Sequence, residues 1–358
     1  MRTTIQILFF LLLILAACSS DDSKPPTRSY RMGFQNSAPR YDDFDLIIQS
    51  LHMWSERADA AMITTEVPWE ELLAGTDPVD YVVDNYVGLV DHYRDENFKL
   101  WVYIDPQNGL DRTSDAVELV DAGKSIAEAD MQALYRRFAF VMDSVLNPEH
   151  LGLALETNLI RDAASIAIYN GVKQAANVAA EEIRAYDADV KLSISVQVDH
   201  AWGKLVGGTY QGVAQDFTDF PFMEELGLSS YPYFAYDSPD ELPLNYYSKI
   251  IEGSTLPVFV SEGGWSSASV TTPDRSFVSS PQIQEDYIKK HGKLLDHVHA
   301  TAVFQLVFTD IDVESLPPDV PENLGYFVFL GLVDETFTPK PALSAWDNLF
   351  KIPLNENQ

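Results

Sequence analysis

The chain has 358 residues, with 24 Lys and Arg against 54 Asp and Glu, for a formal net charge of −30. So acidic a composition argues against nucleic acid and anionic membrane surfaces as partners and favours neutral or soluble ligands. A single cysteine excludes a disulfide framework and a cysteine-based metal site, and the length suits one large domain or two ordinary ones.

In chain order, the first element is Arg2 followed by the apolar run Ile5 to Leu15, interrupted only by Gln6, and then by "LAAC", in which small residues precede Cys18. This is the three-part layout of a secretory signal, with an apolar run too short to span a bilayer. It resembles a bacterial lipoprotein signal. The resemblance implies cleavage after residue 17, acylation of Cys18 and attachment to the lipid bilayer of the cell envelope, on the periplasmic face of the outer membrane or at the cell surface. An ordinary signal peptide with a coincidental cysteine is the plainer alternative. The following "SSDDSKPPTRS" reads as a polar, proline-containing tether. The expected organisation is a signal peptide at 1–17, a flexible tether at 18–28, one domain at 29–352 and a tail at 353–358. Within the domain there is neither a linker nor an internal repeat.

Strand candidates then recur along the chain: "YRMGFQ" from Tyr30, "AAMITT" from Ala60, "KLWVYI" from Lys99, "LGLALE" from Leu151, "KLSISVQV" from Lys191, "LGLSSY" from Leu226, "PVFVSE" from Pro257 and "TAVFQLVF" from Thr301. Between them lie longer segments such as "MQALYRRFAFVMDSVL" and "ASIAIYNGVKQAANVAAEEIRAY", whose apolar residues recur at helical spacing. Strand followed by helix, repeated eight times, predicts an α/β fold of the (β/α)8 TIM-barrel type. A doubly wound open sheet is the structural alternative, but no glycine-rich phosphate loop follows the first strand. In such a barrel reactive groups belong at the C-terminal ends of the strands.

The fourth strand ends "LGLALETNL". Alternation places Ala154, Glu156 and Asn158 on one face, toward the barrel interior, and Leu153 and Leu155 on the other, toward the helices. By the same count Val258, Val260 and Glu262 share a face of the seventh strand. Two glutamates are thus expected in one barrel mouth, the arrangement required to cleave a glycosidic bond: one carboxylic acid protonates the leaving oxygen while a second carboxylate attacks the anomeric carbon.

The chain resembles the clan A glycoside hydrolases, retaining (β/α)8 enzymes. "SEGGWSS" is similar to the nucleophile segment of endo-galactanases and plant-type β-1,3-glucanases. "LSSYPYF" is similar to the strand-six segment of galactanase-like families, and "GLVDETFTPKPALSAWDNL" to their last loop and helix. The resemblance implies Glu156 as acid/base, Glu262 as nucleophile, and Tyr231 or Tyr233 hydrogen-bonded to the nucleophile. One departure is Leu155, where most members carry an asparagine that contacts the sugar 2-hydroxyl; Asn158 is the expected substitute. Two function classes follow: a lipid-anchored retaining glycosidase acting on a β-linked polysaccharide or oligosaccharide, or a non-catalytic glycan-binding lipoprotein on the same barrel.

Further candidates line the strand ends. Glu66 and Asp105 are expected to contact ligand or cap loops, and Gln35, Asn36, Gln197 and Asp199 to bind hydroxyls or pack the interior. Trp69, Trp202, Trp265 and Phe234 are placed either to stack on sugar rings or to pack loops, with Trp265 the first choice for stacking. His297 and His299 precede the eighth strand at the opposite end and are expected to be structural. No metal and no cofactor is expected, the glycan is the expected partner, and the chain is expected to act as a monomer.

Overall fold

The computed structural model describes residues 26–271, 276–316 and 320–355; the signal segment, Cys18 and the tether up to residue 25 lie outside the described residues. Eight parallel strands close into a barrel. They are β1 (Arg31–Gln35), β2 (Ala60–Glu66), β3 (Lys99–Asp105), β4 (His150–Gly152), β5 (Lys191–Gln197), β6 (Glu225–Ser230), β7 (Val258–Gly263) and β8 (Ala302–Gln305). Each pairs with its sequence neighbour, and β8 returns to β1 through the register Arg31 to Ala302.

Period-two alternation divides these strands between two apolar layers. Ala60, Met62, Trp101, Tyr103, Phe259, Ala302 and Phe304 fill the barrel interior as a cluster of their own. Residues between them, such as Ala61, Val102, Val258 and Val303, join the larger core beneath the helices. Tyr103 reaches across the interior to Ser193, 2.9 Å from its hydroxyl. Gly152 and Gly227 leave room for it, since a Cβ at either position would overlap the tyrosine. Tyr103 thereby floors the volume above it.

The outer layer forms where the sequence is helical in period. Helix Ala129–Leu146 buries Met131, Tyr135, Phe138 and Met142, spaced at three and four, and stops at Asn147 in a left-handed cap. The Tyr135 hydroxyl donates to the Leu153 carbonyl, which pins the helix to the chain just beyond β4. Helix Ile166–Tyr186 presents small residues inward, Ala175, Ala176, Ala179 and Ala180. Helices Pro281–Val298 and Pro341–Phe350 pack together and close the circuit.

The expectation of a helix after every strand fails once. Between β6 and β7 the chain makes only the 3-10 turns Pro232–Phe234 and Pro239–Glu241 and further irregular turns. Pro232, Pro239 and Pro243 lack the amide hydrogens that a continuous helix needs. At the domain boundaries, Arg28 and Leu354 form a parallel bridge, and the Arg28 guanidinium pairs with Asp59 at 2.6 Å.

Candidate active site

At the C-terminal ends of the strands the chain encloses a cavity of about 630 Å³ on to which both Glu156 and Glu262 open, a volume ordinary for a small-molecule site. Neither glutamate arrives by simple alternation. Val258 and Val260 lie in the outer core and Phe259 in the inner cluster, so an unbroken strand would send Glu262 outward. The register with β6 shifts instead, from Leu228 opposite Val260 to Ser229 opposite Glu262. Ser261 is the extra residue of a β-bulge, and the bulge turns Glu262 inward.

Glu156 is re-aimed by a different device. The β4 ladder ends at Gly152, and Glu156 takes left-handed backbone (φ 49°) immediately before helix Thr157–Ala163. A side-chain-bearing residue in that region is strained and is a pointer to function when it faces a cavity. Its amide donates to the Ser195 hydroxyl at 3.0 Å, which holds the turn. The expected faces of this segment are therefore corrected: Leu155 packs in the barrel interior with Trp101 and Tyr103, and Ala154 joins Leu153 in the outer core.

Two side chains, neither of them expected, join the carboxyls. Ser229 Oγ lies 2.6 Å from Glu156 Oε1 and 2.8 Å from Glu262 Oε1. Those two oxygens can be no further apart than the sum of these distances, which is within the roughly 5–5.5 Å of a retaining pair and short of the roughly 6.5–9.5 Å of an inverting one. Arg112, itself buried, donates from Nε to Glu156 Oε2 at 2.9 Å and from Nη1 to Asp105 Oδ2 at 2.6 Å. Burial, and then the negative charge of Glu156, push the Glu262 carboxyl up to about 7. Of the two possible tyrosines, Tyr231 is the one that stands beside Glu262. Tyr233 turns its hydroxyl to the Tyr326 carbonyl at 3.0 Å.

No family model matches the sequence. No curated protein matches it either, and the informative likenesses are to solved structures. A GH5_18 protein from Bifidobacterium longum subsp. longum superposes with a TM-score of 0.63 at 16% identity, over 91% of this chain and 81% of its own. An exo-β-1,4-mannosidase from Opitutaceae bacterium strain TAV5 gives 0.61 at 14%, over 92% of this chain and 62% of that one. A β-glucuronidase from Ruminococcus gnavus in complex with D-glucuronic acid gives 0.58 at 11%, over 91% and 49%. This is a (β/α)8 barrel.

Within that barrel the remaining candidates divide. Gln35, Asn36, Glu66, Asp105, Gln197 and Phe234 line the cavity. Among the described residues that line the cavity, Asn36 and Thr64 each have a buried side-chain oxygen, Oδ1 and Oγ1, without a hydrogen-bond partner. Gln197 faces the cavity but is already committed, accepting from the His200 amide at 2.5 Å and donating to Asp199 at 3.3 Å. Asp199 is fully buried off the cavity, accepting from Tyr246, and packs the interior.

Asn158 does not stand in for the missing asparagine. Its carboxamide is spent on the backbone of Gln197, donating to the carbonyl at 2.9 Å and accepting from the amide at 2.8 Å. The tryptophans are corrected too, for none of the three lines the cavity. Trp265 is buried against Tyr287 with ring centroids 5.4 Å apart, and its Nε1 donates to Ser279 Oγ at 3.1 Å. Trp202 stacks on Tyr246, and Trp69 is wholly inside the core. Aromatic surface at the cavity comes instead from Tyr41, Tyr231, Phe234, Tyr326 and Phe327. His297 and His299 end helix Pro281–Val298 at the far side of the barrel, the first in its last turn and the second as its left-handed cap.

One wall of the cavity is the long loop after β8, which meets the loop after β3 where Asn323 donates to the Leu110 carbonyl at 2.6 Å. The Lys340–Pro341 pair does enter the last helix, but Lys340 also reaches back, 2.5 Å from Asp310, 2.8 Å from Ser267 Oγ and 2.9 Å from the Gly331 carbonyl. That buried knot holds the segment carrying Ile311 and Leu324 against the cavity.

Proposed function

We propose that the protein is a retaining glycoside hydrolase for an uncharged β-linked glycoside, with Glu156 as acid/base and Glu262 as nucleophile. The observation that carries the reading is the pair of carboxyls held on one serine hydroxyl at the mouth of the barrel, within the separation of a double-displacement pair. The proposed cycle begins with attack of Glu262 on the anomeric carbon while Glu156 protonates the leaving oxygen. Water, activated by Glu156, then releases the sugar with its original configuration. Tyr231 orients Glu262, and Asn36 and Thr64 meet sugar hydroxyls.

Charge narrows the sugar. Arg112 is the only cationic side chain among the described residues lining the cavity, and it is already paired with two carboxyls. Glu66, Asp105, Glu156 and Glu262 leave the site acidic, so a uronate would enter against repulsion with no cation to receive it. Mannosides and other neutral glycosides fit better than glucuronides. Aliphatic side chains at the mouth, among them Leu110, Leu159 and Leu205, suit the apolar face of a leaving group.

A panel of aryl β-mannoside, β-glucoside, β-galactoside and β-glucuronide, with β-mannan, β-glucan and β-galactan, tests this. Turnover of a neutral member is expected, at least about tenfold above the glucuronide, with the first product anomer matching the substrate by NMR. Preference for the glucuronide would overturn the charge argument. Leu155 beside a Glu156 clamped by Arg112 favours a second reading, glycan binding without cleavage, and that reading wins if glycans bind and none is cut.

The anchoring part of the proposal rests on the N-terminal sequence, where Cys18 is the one residue able to carry lipid to the cell envelope. Cells fed radioactive fatty acid should label the wild-type protein and leave Cys18→Ala unlabelled and released from membranes; label persisting in the variant would end the lipoprotein reading.

A further inference from the structure

Ser229 has one proton and two carboxyl neighbours. Its hydroxyl lies 2.6 Å from Glu156 Oε1 and 2.8 Å from Glu262 Oε1, and it is completely buried. A hydroxyl donates once, so both contacts are hydrogen bonds only when one of the carboxyls is itself protonated and donates to Oγ. With both glutamates ionised, one contact would set an oxygen lone pair against a carboxylate at hydrogen-bond distance. The geometry therefore selects a pair that carries a single proton.

Surroundings decide where that proton rests. Arg112 stands on Glu156 and supplies Nε to its second oxygen. Glu262 has the hydroxyls of Tyr231, just after β6, and Tyr103 on β3 nearby, and feels Asp105 and Arg112 as its other charged neighbours. The guanidinium favours charge on Glu156, so the proton rests on Glu262, the reverse of what the first chemical step requires.

We infer that Ser229 is a proton relay between the two glutamates. In the resting state the Glu262 carboxyl donates to Ser229 Oγ, and the Ser229 hydroxyl donates to Glu156. In the switched state the Glu262 O–H bond has broken as a new Ser229 O–H bond formed, and the old Ser229 O–H bond has broken as the Glu156 O–H bond formed. Serine remains a neutral hydroxyl, the pair keeps its single negative charge, and no other group gains or loses a proton. The switch delivers an ionised Glu262 and an acidic Glu156 with no proton exchanged with solvent. Ser229 is thus a positioning residue that sets the protonation of the two groups beside it.

The inference rests on the glycosidase reading only for its kinetic consequence, so its test has two arms. In the first, [13Cδ]Glu-labelled protein is titrated by NMR, with Glu156→Gln and Glu262→Gln assigning the signals. Because the bridge stabilises the singly protonated pair against both neighbours, the two macroscopic steps lie far apart in wild type. In Ser229→Ala they should close by about one pH unit or more, and Ser229→Thr should restore the spacing. In the second arm, the bell-shaped pH profile of kcat/KM should narrow in Ser229→Ala, with kcat falling about 10- to 100-fold while KM changes little. An unchanged spacing of the two steps, with Ser229→Ala correctly folded, overturns the relay whatever the kinetics show. Spacing that narrows in Ser229→Ala, together with a wild type that cleaves nothing, upholds the shared proton and sinks the glycosidase reading alone.

Discussion

Glu262→Gln is expected to abolish turnover of every glycoside, by at least about four orders of magnitude, while leaving the fold and glycan binding intact. An amide cannot form the glycosyl ester, and it is nearly isosteric with the protonated carboxyl that the buried site already accommodates. Its contact with Ser229 survives, the amide donating where the protonated carboxyl did. Glu156→Ala should behave differently. Natural glycans, whose leaving oxygen needs a proton, should slow by about 10²- to 10⁴-fold. Aryl glycosides with good leaving groups should still load Glu262, and added azide should then release a β-glycosyl azide. Product analysis by NMR separates the two variants. Azide product from Glu262→Gln, with none from Glu156→Ala, would show that the two roles are exchanged, and the arginine clamp on Glu156 would then be the clamp on a nucleophile.

The second large effect is expected at Arg112. Among the described residues its guanidinium is the one ion-pair partner of two buried carboxyls from different strands' ends, Asp105 and Glu156. Replacing it by Met leaves both buried carboxyls without a counter-charge, and removing one partner of a buried ion pair costs about 3 to 5 kcal/mol. Urea unfolding of Arg112→Met should show a loss of that size. Arg112→Met/Asp105→Asn should recover about half, because one of the two orphaned charges is gone. The same variant should lose about 10²-fold in kcat on unactivated glycans, since Glu156 is no longer held against Ser229. A loss below about 1 kcal/mol, or a double variant no more stable than the single one, would show that these charges find other partners and that Arg112 is not the keystone of the pair.

The sequence alone determined the barrel, because its evidence is periodic and local. Apolar alternation such as Met62 and Tyr103 inward with Ala61 and Val102 outward needs no knowledge of distant contacts. It also marked Glu156 and Glu262, since a charge ending an apolar strand is costly unless something uses it. What it had no means of supplying was the route by which those two side chains reach the cavity. Simple alternation gave the right residues with the wrong geometry: Val258 and Val260 face the helices, and the Ser261 bulge reverses the face at Glu262. A bulge is a property of two paired strands, and the left-handed turn at Glu156 depends on Ser195, 39 residues away.

The same reason explains the partners that were missed and the ones that were misplaced. Arg112 lies in a loop with no periodicity, and Ser229 is one serine among several in "LSSYPY"; only barrel closure brings them to the carboxyls. Trp265, three residues from Glu262, was the natural stacking residue by proximity along the chain. Its indole turns under the strand to Tyr287 and Ser279, because burying so large an apolar surface outweighs exposing it at a mouth already lined by Tyr326 and Phe327. Strand identity and the choice of carboxylates were therefore written in local pattern, whereas the direction of each side chain and the group it meets were decided by long-range packing, which no single segment encodes.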